Sequence, residues 1–310
     1  MPERITSPSN PKIKMLLALQ QKSSARRESG LFVVEGRREL QHCIDAGFTV
    51  DTVFVCPSLH GSQPLQTSGC AGPLPLSAAT SVKQACPPSQ QPAGPSLLRS
   101  RGWLRSGEAA ADSAAVQTKT YEVSEEVYSK ISYREGTEGV MAEVRVPQQR
   151  LEDLALPENP LVMVLESVEK PGNRGAVLRS ADAAGADAVL CCDPLTDLWN
   201  PNLIRASIGA VFTVPCVACS SQEAIAWLKA RGIRILTAQL QDSSLYYDCD
   251  MTAGTAIVMG TEATGLTQQW REAADAHIRI PMLGRLDSLN VSVSAAILLF
   301  EAVRQRQNHG

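Results

Sequence analysis

Three segments in the C-terminal half place polar side chains directly after apolar runs that read as buried strands. The first, EKPGNRGAVLRSADAAGAD (169–187), carries Asn173 and, six residues on, Arg179. Asn173 either caps the helix that follows or serves a site, and Arg179 is either a surface ion-pair partner or a functional cation. The second, IVMGTEATGL (257–266), sets Glu262 between Gly260 and Gly265, where glycine permits close backbone approach to a ligand or a positive φ. It lacks the Lys-Ser/Thr of a phosphate-binding loop, and no G-x-G-x-x-G follows a strand, so nucleotide-phosphate and dinucleotide sites are disfavoured. The third, IPMLGRLDSLNVSVSAA (280–296), crowds Asp287, Ser288, Asn290, Ser292 and Ser294 at the mouth of the last helix. One of Ser288 and Asn290 suffices as an N-cap, which leaves the other polar groups without a capping role.

These segments need a scaffold, and the pattern from residue 161 onward supplies one. LVMVLESV, DAVLCC, IRILTAQL, GTAIVMG and IRIPM read as strands; NRGAVLRSADAAGA, NLIRASIGAVF, SQEAIAWLKARG and TQQWREAADA read as helices. Continuous apolar strands alternating with helices predict an α/β fold, a doubly wound parallel sheet with ligands at the carboxyl ends of its strands. The final helix starts near Asn290, with Val291, Ala295, Leu298, Leu299 and Ala302 at core spacing.

The N-terminal part reads as a small α/β unit. A helix is predicted from about Pro11 to about Arg27, then strand LFVVEG, a helix ended by Gly47, strand VDTVFVCP and, later, strand GVMAEVRV. Residues 60–117, rich in Ser, Pro, Gly, Ala and Gln, are expected to be a disordered low-complexity insert. The organisation expected is 1–146, a linker at 147–160, and 161–310.

The chain has 310 residues and a net charge of −3, and its 44% hydrophobic and 20% charged residues are those of a globular protein. No run of 18 apolar residues and no secretory h-region is present, so a cytoplasmic location is the default expectation. Among nine cysteines the only C-x-x-C is Cys216–Cys219, with no histidine nearby, so buried or loop thiols are expected and no metal. Residues 1–40 carry eight basic residues against four acids, a balance of +4. That is either a solvated helix face or a footprint for phosphate backbones.

In order and spacing, Pro171-Gly172-Asn173 through Arg179, MGTEATGL and IPMLGRLDSLNVSVSAAILLFEA resemble the three signature motifs of the SpoU/TrmH family of RNA ribose 2′-O-methyltransferases. SPSNPKIKMLLAL, LFVVEGRREL and SYREGTEGVMA resemble the substrate-binding domain that precedes the catalytic domain in many members. The resemblance implies a C-terminal deep trefoil knot (SPOUT fold), S-adenosylmethionine as cofactor, a homodimer, no metal, and an RNA substrate, most readily rRNA. It implies Arg179 as catalytic arginine, Asn173 and Glu262 orienting it and the ribose, and Ser288 and Asn290 positioning the hydroxyl or a facing phosphate. Thr237, Ala238, Gly260, Glu262, Gly265, Ile280 and Leu289 would hold the cofactor. Lys12, Lys14, Arg26, Arg27, Arg37, Arg38 and Arg134 would contact RNA. A tRNA methylase of the same family, an inactive RNA-binding relative and a small-molecule methylase are the alternatives.

Overall fold

A computed structural model describes residues 2–59, 118–133 and 138–308; the segment 60–117 and Arg134 lie outside the described residues. The N-terminal half comprises β1 (Glu3–Ile5), α1 (Pro11–Gln21), α2 (Ser23–Ser29), β2 (Leu31–Glu35), α3 (Arg37–Asp45), β3 (Val50–Val55), β4 (Lys119–Val123), α4 (Glu125–Ile131) and β5 (Val140–Arg145). Its sheet runs β1-β4-β3-β5-β2, with β5 antiparallel to both β3 and β2. Asn10 caps α1 by accepting the Lys12 N–H at 2.9 Å, with Pro11 pre-set at the first helical position. The single helix predicted over Pro11–Arg27 is broken at Lys22, whose backbone is extended (φ −118°, ψ 121°). The break starts a second helix that turns Arg26 inward, toward the Leu19 carbonyl at 2.6 Å.

The C-terminal half contains β6 (Leu161–Glu166), α5 (Pro171–Ala184), β7 (Ala188–Cys192), α6 (Pro201–Ser207), α7 (Ala210–Thr213), β8 (Cys216–Cys219), α8 (Ser221–Ala230), β9 (Arg234–Ala238), β10 (Ser244–Leu245), β11 (Thr255–Met259), α9 (Gln268–Ala273), β12 (Ala276–Arg279) and α10 (Val291–Gln307). The sheet order is β10-β12-β9-β11-β6-β7-β8, with every pairing parallel. One face packs on α5, α6, α7 and α10 through Val177, Leu178, Leu203, Val211 and Leu298; the other packs on α8 and α9 through Leu228 and Trp270. Every residue of β6 is buried, which is why Leu161–Leu165 read as an unbroken apolar run, and the buried Glu166 that ends the strand is satisfied by the Thr267 N–H and hydroxyl.

One further sequence expectation is corrected here. NLIRASIGAVF is two helices, because Ile208 (φ 54°) and Gly209 (φ 85°) are left-handed. At Gly209 a Cβ would sit 3.1 Å from the His42 ring, so the bend lets the N-terminal half approach closely. Cys216–Cys219, expected to be buried or loop thiols, forms the edge strand β8, with Cys216 buried. There Cys216 Sγ lies 3.8 Å from Cys191 Sγ, and Cys219 Sγ lies 3.9 Å from Cys192 Sγ.

The two sheets share one apolar core. Phe32 stacks on Trp199 (centroids 4.6 Å apart), and Phe48 meets Trp199 and Phe212 edge-on at 5.6 and 5.3 Å. Burying each ring contributes about 2–3 kcal/mol. Arg26 clamps the seam, its Nε and Nη2 donating to Asp197 at 3.0 and 2.6 Å. Within 147–160, Leu151 and Leu154 are buried against the α8/α9 side of the large sheet.

Candidate active site

β12, β9 and β11 are adjacent and parallel, so the residues following them gather at one edge of the sheet. Thr237 and Ala238 end β9, Gly260 follows β11 and Ile280 follows β12. Thr237 is fully buried, paired with Val258 on one side and His277 on the other, and its hydroxyl is engaged by His277 Nδ1 at 2.6 Å. Ala238 and Ile280 are half-buried. Beside them the side-chain oxygen Oε1 of Gln239 is buried without a hydrogen-bond partner among the described residues. An orphaned acceptor of this kind fits a ligand bearing an N–H donor.

The loop after β11 closes on itself. Thr261 and Gly265 exchange backbone hydrogen bonds at 3.2 and 3.1 Å, and Gly265 is left-handed (φ 68°). A Cβ on Gly260 would lie 2.4 Å from the Gly265 carbonyl group and 2.6 Å from the Leu266 nitrogen. Glycine at 260 is therefore demanded by the loop's own closure, and the result is a fixed platform for Glu262.

Glu262 ties the three polar segments together. Its Oε1 accepts from Asn173 Nδ2 at 2.9 Å and from Asn290 Nδ2 at 3.0 Å, while Asn290 Nδ2 also reaches Asn173 Oδ1 at 3.2 Å. Its Oε2 accepts from Lys170 Nζ at 3.1 Å. The Lys170 ammonium, with smaller help from the Val291 N–H and Asn173, holds the Glu262 carboxyl below the usual carboxylate range against a desolvation cost. Glu262 is thus an ionised anchor, not a base poised near neutrality.

The capping question resolves by residue. α5 begins at Pro171 with Lys170 in the cap position and no side-chain cap, so Asn173 is not the cap, and its amide is committed to Glu262 and Asn290. Asn290 caps α10, its Oδ1 accepting from the Ser292 N–H at 3.0 Å and from Ser292 Oγ at 2.6 Å, while its Nδ2 serves the cluster. One side chain does both jobs. Ser288 is exposed and bonds Asp287 at 3.2 Å; Leu289 is 40% exposed.

Arg179 is exposed and makes no hydrogen bond or ion pair among the described residues. Six residues beyond Asn173 on one helix, it is rotated by about 120° from it and displaced by about 9 Å along the axis. The Asn173–Glu262–Asn290 cluster therefore does not include it within one chain. Of the basic residues expected to meet RNA, Lys14, Arg27 and Arg38 are exposed. Lys12 pairs with Glu3 at 3.0 Å and lies 3.9 Å over the Tyr121 ring; Arg37 is half-buried. Arg26 is a correction. It is 3% exposed and consumed by Asp197 and the Leu19 carbonyl, so it faces the core and not a polyanion.

Lys170 was not among the residues expected from sequence. Its only signal is a cation immediately ahead of the Pro-Gly-Asn turn, and nothing in the linear order connects it to Glu262, 92 residues on. Among the described residues no group of three or more His, Cys, Asp or Glu could hold a metal ion, and no helix is long and apolar enough to cross a membrane.

Comparison with known proteins places this geometry. Residues 160–300 match the model of the SpoU rRNA Methylase family, and residues 10–85 match that of an MRM3-like substrate binding domain. The chain is 31% identical over 180 residues to the 23S rRNA (guanosine(2553)-2′-O)-methyltransferase RlmP of Bacillus subtilis, covering 58% of this chain and 71% of that protein. It is 38% identical over 175 residues to the 23S rRNA (guanosine-2′-O-)-methyltransferase RlmB of Vibrio parahaemolyticus, covering 54% and 71%. Among solved structures it resembles the AdoMet-bound rRNA methyltransferase from Sinorhizobium meliloti, with TM-score 0.75, 27% identity and 97% of each chain covered. It also resembles an RNA 2′-O ribose methyltransferase, with TM-score 0.70, 35% identity and 98% and 99% covered.

Proposed function

The chain belongs to the SpoU rRNA methylase family, and we propose that it transfers a methyl group from S-adenosylmethionine to a ribose 2′-hydroxyl of ribosomal RNA. The observation that carries this reading is the hydrogen-bonded union of Asn173, Glu262 and Asn290, one from each polar segment, beside the carboxyl ends of a parallel sheet. Ribosomal RNA is favoured over tRNA by the relatives, which are named as 23S rRNA enzymes.

Backbone around Thr237, Ala238, Gly260, Gly265, Ile280 and Leu289 would hold S-adenosylmethionine. The orphaned Gln239 oxygen fits one of its amino groups. When bound, that molecule supplies an electrophilic methyl group on a sulfonium sulfur. The chain's own task is to position a weakly acidic alcohol and to stabilise the charge that develops on its oxygen. Arg179, permanently protonated, would act electrostatically on that oxygen and the adjacent phosphate and would not take up a proton. Asn173, Asn290 and ionised Glu262 would fix the ribose, and exposed Ser288 would meet the hydroxyl or a phosphate.

The position of Arg179 supports a homodimer. Val293 and Phe300 expose 47% and 48% of their surface seven residues apart on α10, and Leu289, just ahead of the helix, exposes 40%, an apolar strip suited to a second copy. Such a partner would bring an arginine to a cluster that lacks one within the chain. The proposal extends to a trefoil knot formed by the C-terminal segment. Its support is that Arg306 donates to the Asn159, Pro160, Met251 and Ala253 carbonyls, and Gln305 holds the Met251 N–H, which locks the end of α10 against the sheet's amino edge. Residues 1–146 would be the RNA-binding domain, 147–160 a connector and 161–310 the methyltransferase domain of a cytoplasmic enzyme. Exposed Lys14, Arg27 and Arg38 would lead the RNA contacts. Mapping ribose methylation in RNA from cells with and without the gene tests the reading: one rRNA 2′-O-methyl site should vanish, and an unchanged map contradicts it.

A further inference from the structure

Lys170 is the one cation hydrogen-bonded to the Asn173–Glu262–Asn290 cluster among the described residues, and its side chain is 74% exposed. An ion pair so open to solvent adds little to stability. Its placement matters in another way. Glu262 carries the cluster's only negative charge, and the RNA proposed above must bring a phosphate beside the ribose that is held there. Without Lys170 the cluster would meet that phosphate with an uncompensated carboxylate. An ammonium offers three donors, and Glu262 Oε2 takes one at 3.1 Å, so two stay available on the solvent side. Lys170 also sits in the cap position of α5, a helix whose first turn holds no acidic residue, where the backbone N–H groups favour an anion.

We propose that Lys170 is a substrate-positioning residue, binding the RNA phosphate next to the target ribose while it neutralises Glu262. This rests on the RNA methyltransferase reading and adds to it a specific contact. Lys170 sets where the backbone lies, and Arg179 remains the group that meets the reacting oxygen. An arginine could replace it, because charge and reach are what the role needs; a neutral residue could not.

The test uses the full chain, unmethylated large-subunit rRNA transcribed in vitro and saturating S-adenosylmethionine. Lys170→Ala should raise the RNA KM about tenfold with kcat changed less than threefold, and should leave cofactor affinity and Tm unchanged. The slope of log affinity against log salt should flatten by about 0.7–0.9, the loss of one phosphate contact. Lys170→Arg should restore KM to within threefold. An unchanged KM and salt slope, a fall confined to kcat, or an Arg variant as impaired as Ala each overturns the proposal. Should the wild-type chain transfer no methyl group to RNA, the functional reading fails separately. Equilibrium binding of the same transcript, wild type against Lys170→Ala, then still decides the contact through its salt slope.

Discussion

Asn290 Nδ2 stands 3.2 Å from Asn173 Oδ1, although 117 residues separate them in the chain. The same amide group donates to Glu262 Oε1 at 3.0 Å, while the amide oxygen caps α10. Start of the last helix and polar cluster are thus one object, and the helix cannot shift without moving the cluster.

Capping and cluster functions separate by substitution. Asn290→Ser keeps an oxygen for the cap and should change stability by less than about 0.5 kcal/mol, whereas Asn290→Ala should cost about 1 kcal/mol. Both remove the Nδ2 donor, so both should lower kcat/KM about 100-fold. Thermal melts beside methyl-transfer rates check this; a fully active Asn290→Ser enzyme refutes the dual role.

Arg26 should behave as a core residue. Arg26→Ala strands Asp197, which also accepts the Trp199 N–H at 3.0 Å, and should cost about 3 kcal/mol. Exposed Arg27→Ala should leave the melting curve in place and weaken RNA binding with a shallower salt slope. Denaturant melts and filter binding on both variants distinguish the roles.

Gly260→Ala should break the platform under Glu262, since the new methyl group meets backbone at 2.4 Å. Backbone cannot yield as a side-chain tip can, so the loop must reopen. Calorimetry should show S-adenosylmethionine affinity falling more than tenfold while the far-UV spectrum stays native; wild-type affinity would show that the loop tolerates the change.

Glu143, on β5, links stability to pH. Burial, and then the Asp51 charge beside it, push its carboxyl up from 4.5 to about 7, and Oε1 has no hydrogen-bond partner among the described residues. The native state therefore holds a proton that the unfolded chain releases near pH 4.5. This contribution is present below pH 4.5 and lost as pH rises through 7, by about 3 kcal/mol at most. Glu143→Gln should flatten the stability profile between pH 4.5 and 7 and raise the Tm at pH 8. A Tm at pH 8 at or below that of wild type contradicts it.

Much of this architecture is legible along the chain because it depends on local period. Val291, Ala295, Leu298 and Leu299 announce a buried helix face, and β6 and β11 announce strands covered on both sides. What stayed hidden depends on distant partners. The inward turn of Arg26 needs Asp197, 171 residues away, and the bend at Ile208–Gly209 needs His42. β8 is too short, and too rich in cysteine, to declare itself. At the site, residue types and spacing alone leave Asn173, Glu262 and Asn290 as separate polar residues, and only the family resemblance joins them in one site; their hydrogen bonds, the dual role of Asn290 and the presence of Lys170 require the folded sheet.

The most direct measurement follows tritiated methyl transfer from S-adenosylmethionine to unmethylated rRNA by the wild-type chain and by Arg179→Ala, with the product digested to nucleosides. The expected result is label on a single ribose 2′-oxygen, with kcat reduced about 1000-fold in the variant and its Tm and cofactor affinity unchanged. Label on a base, no label at all, or an Arg179→Ala rate equal to wild type would contradict it.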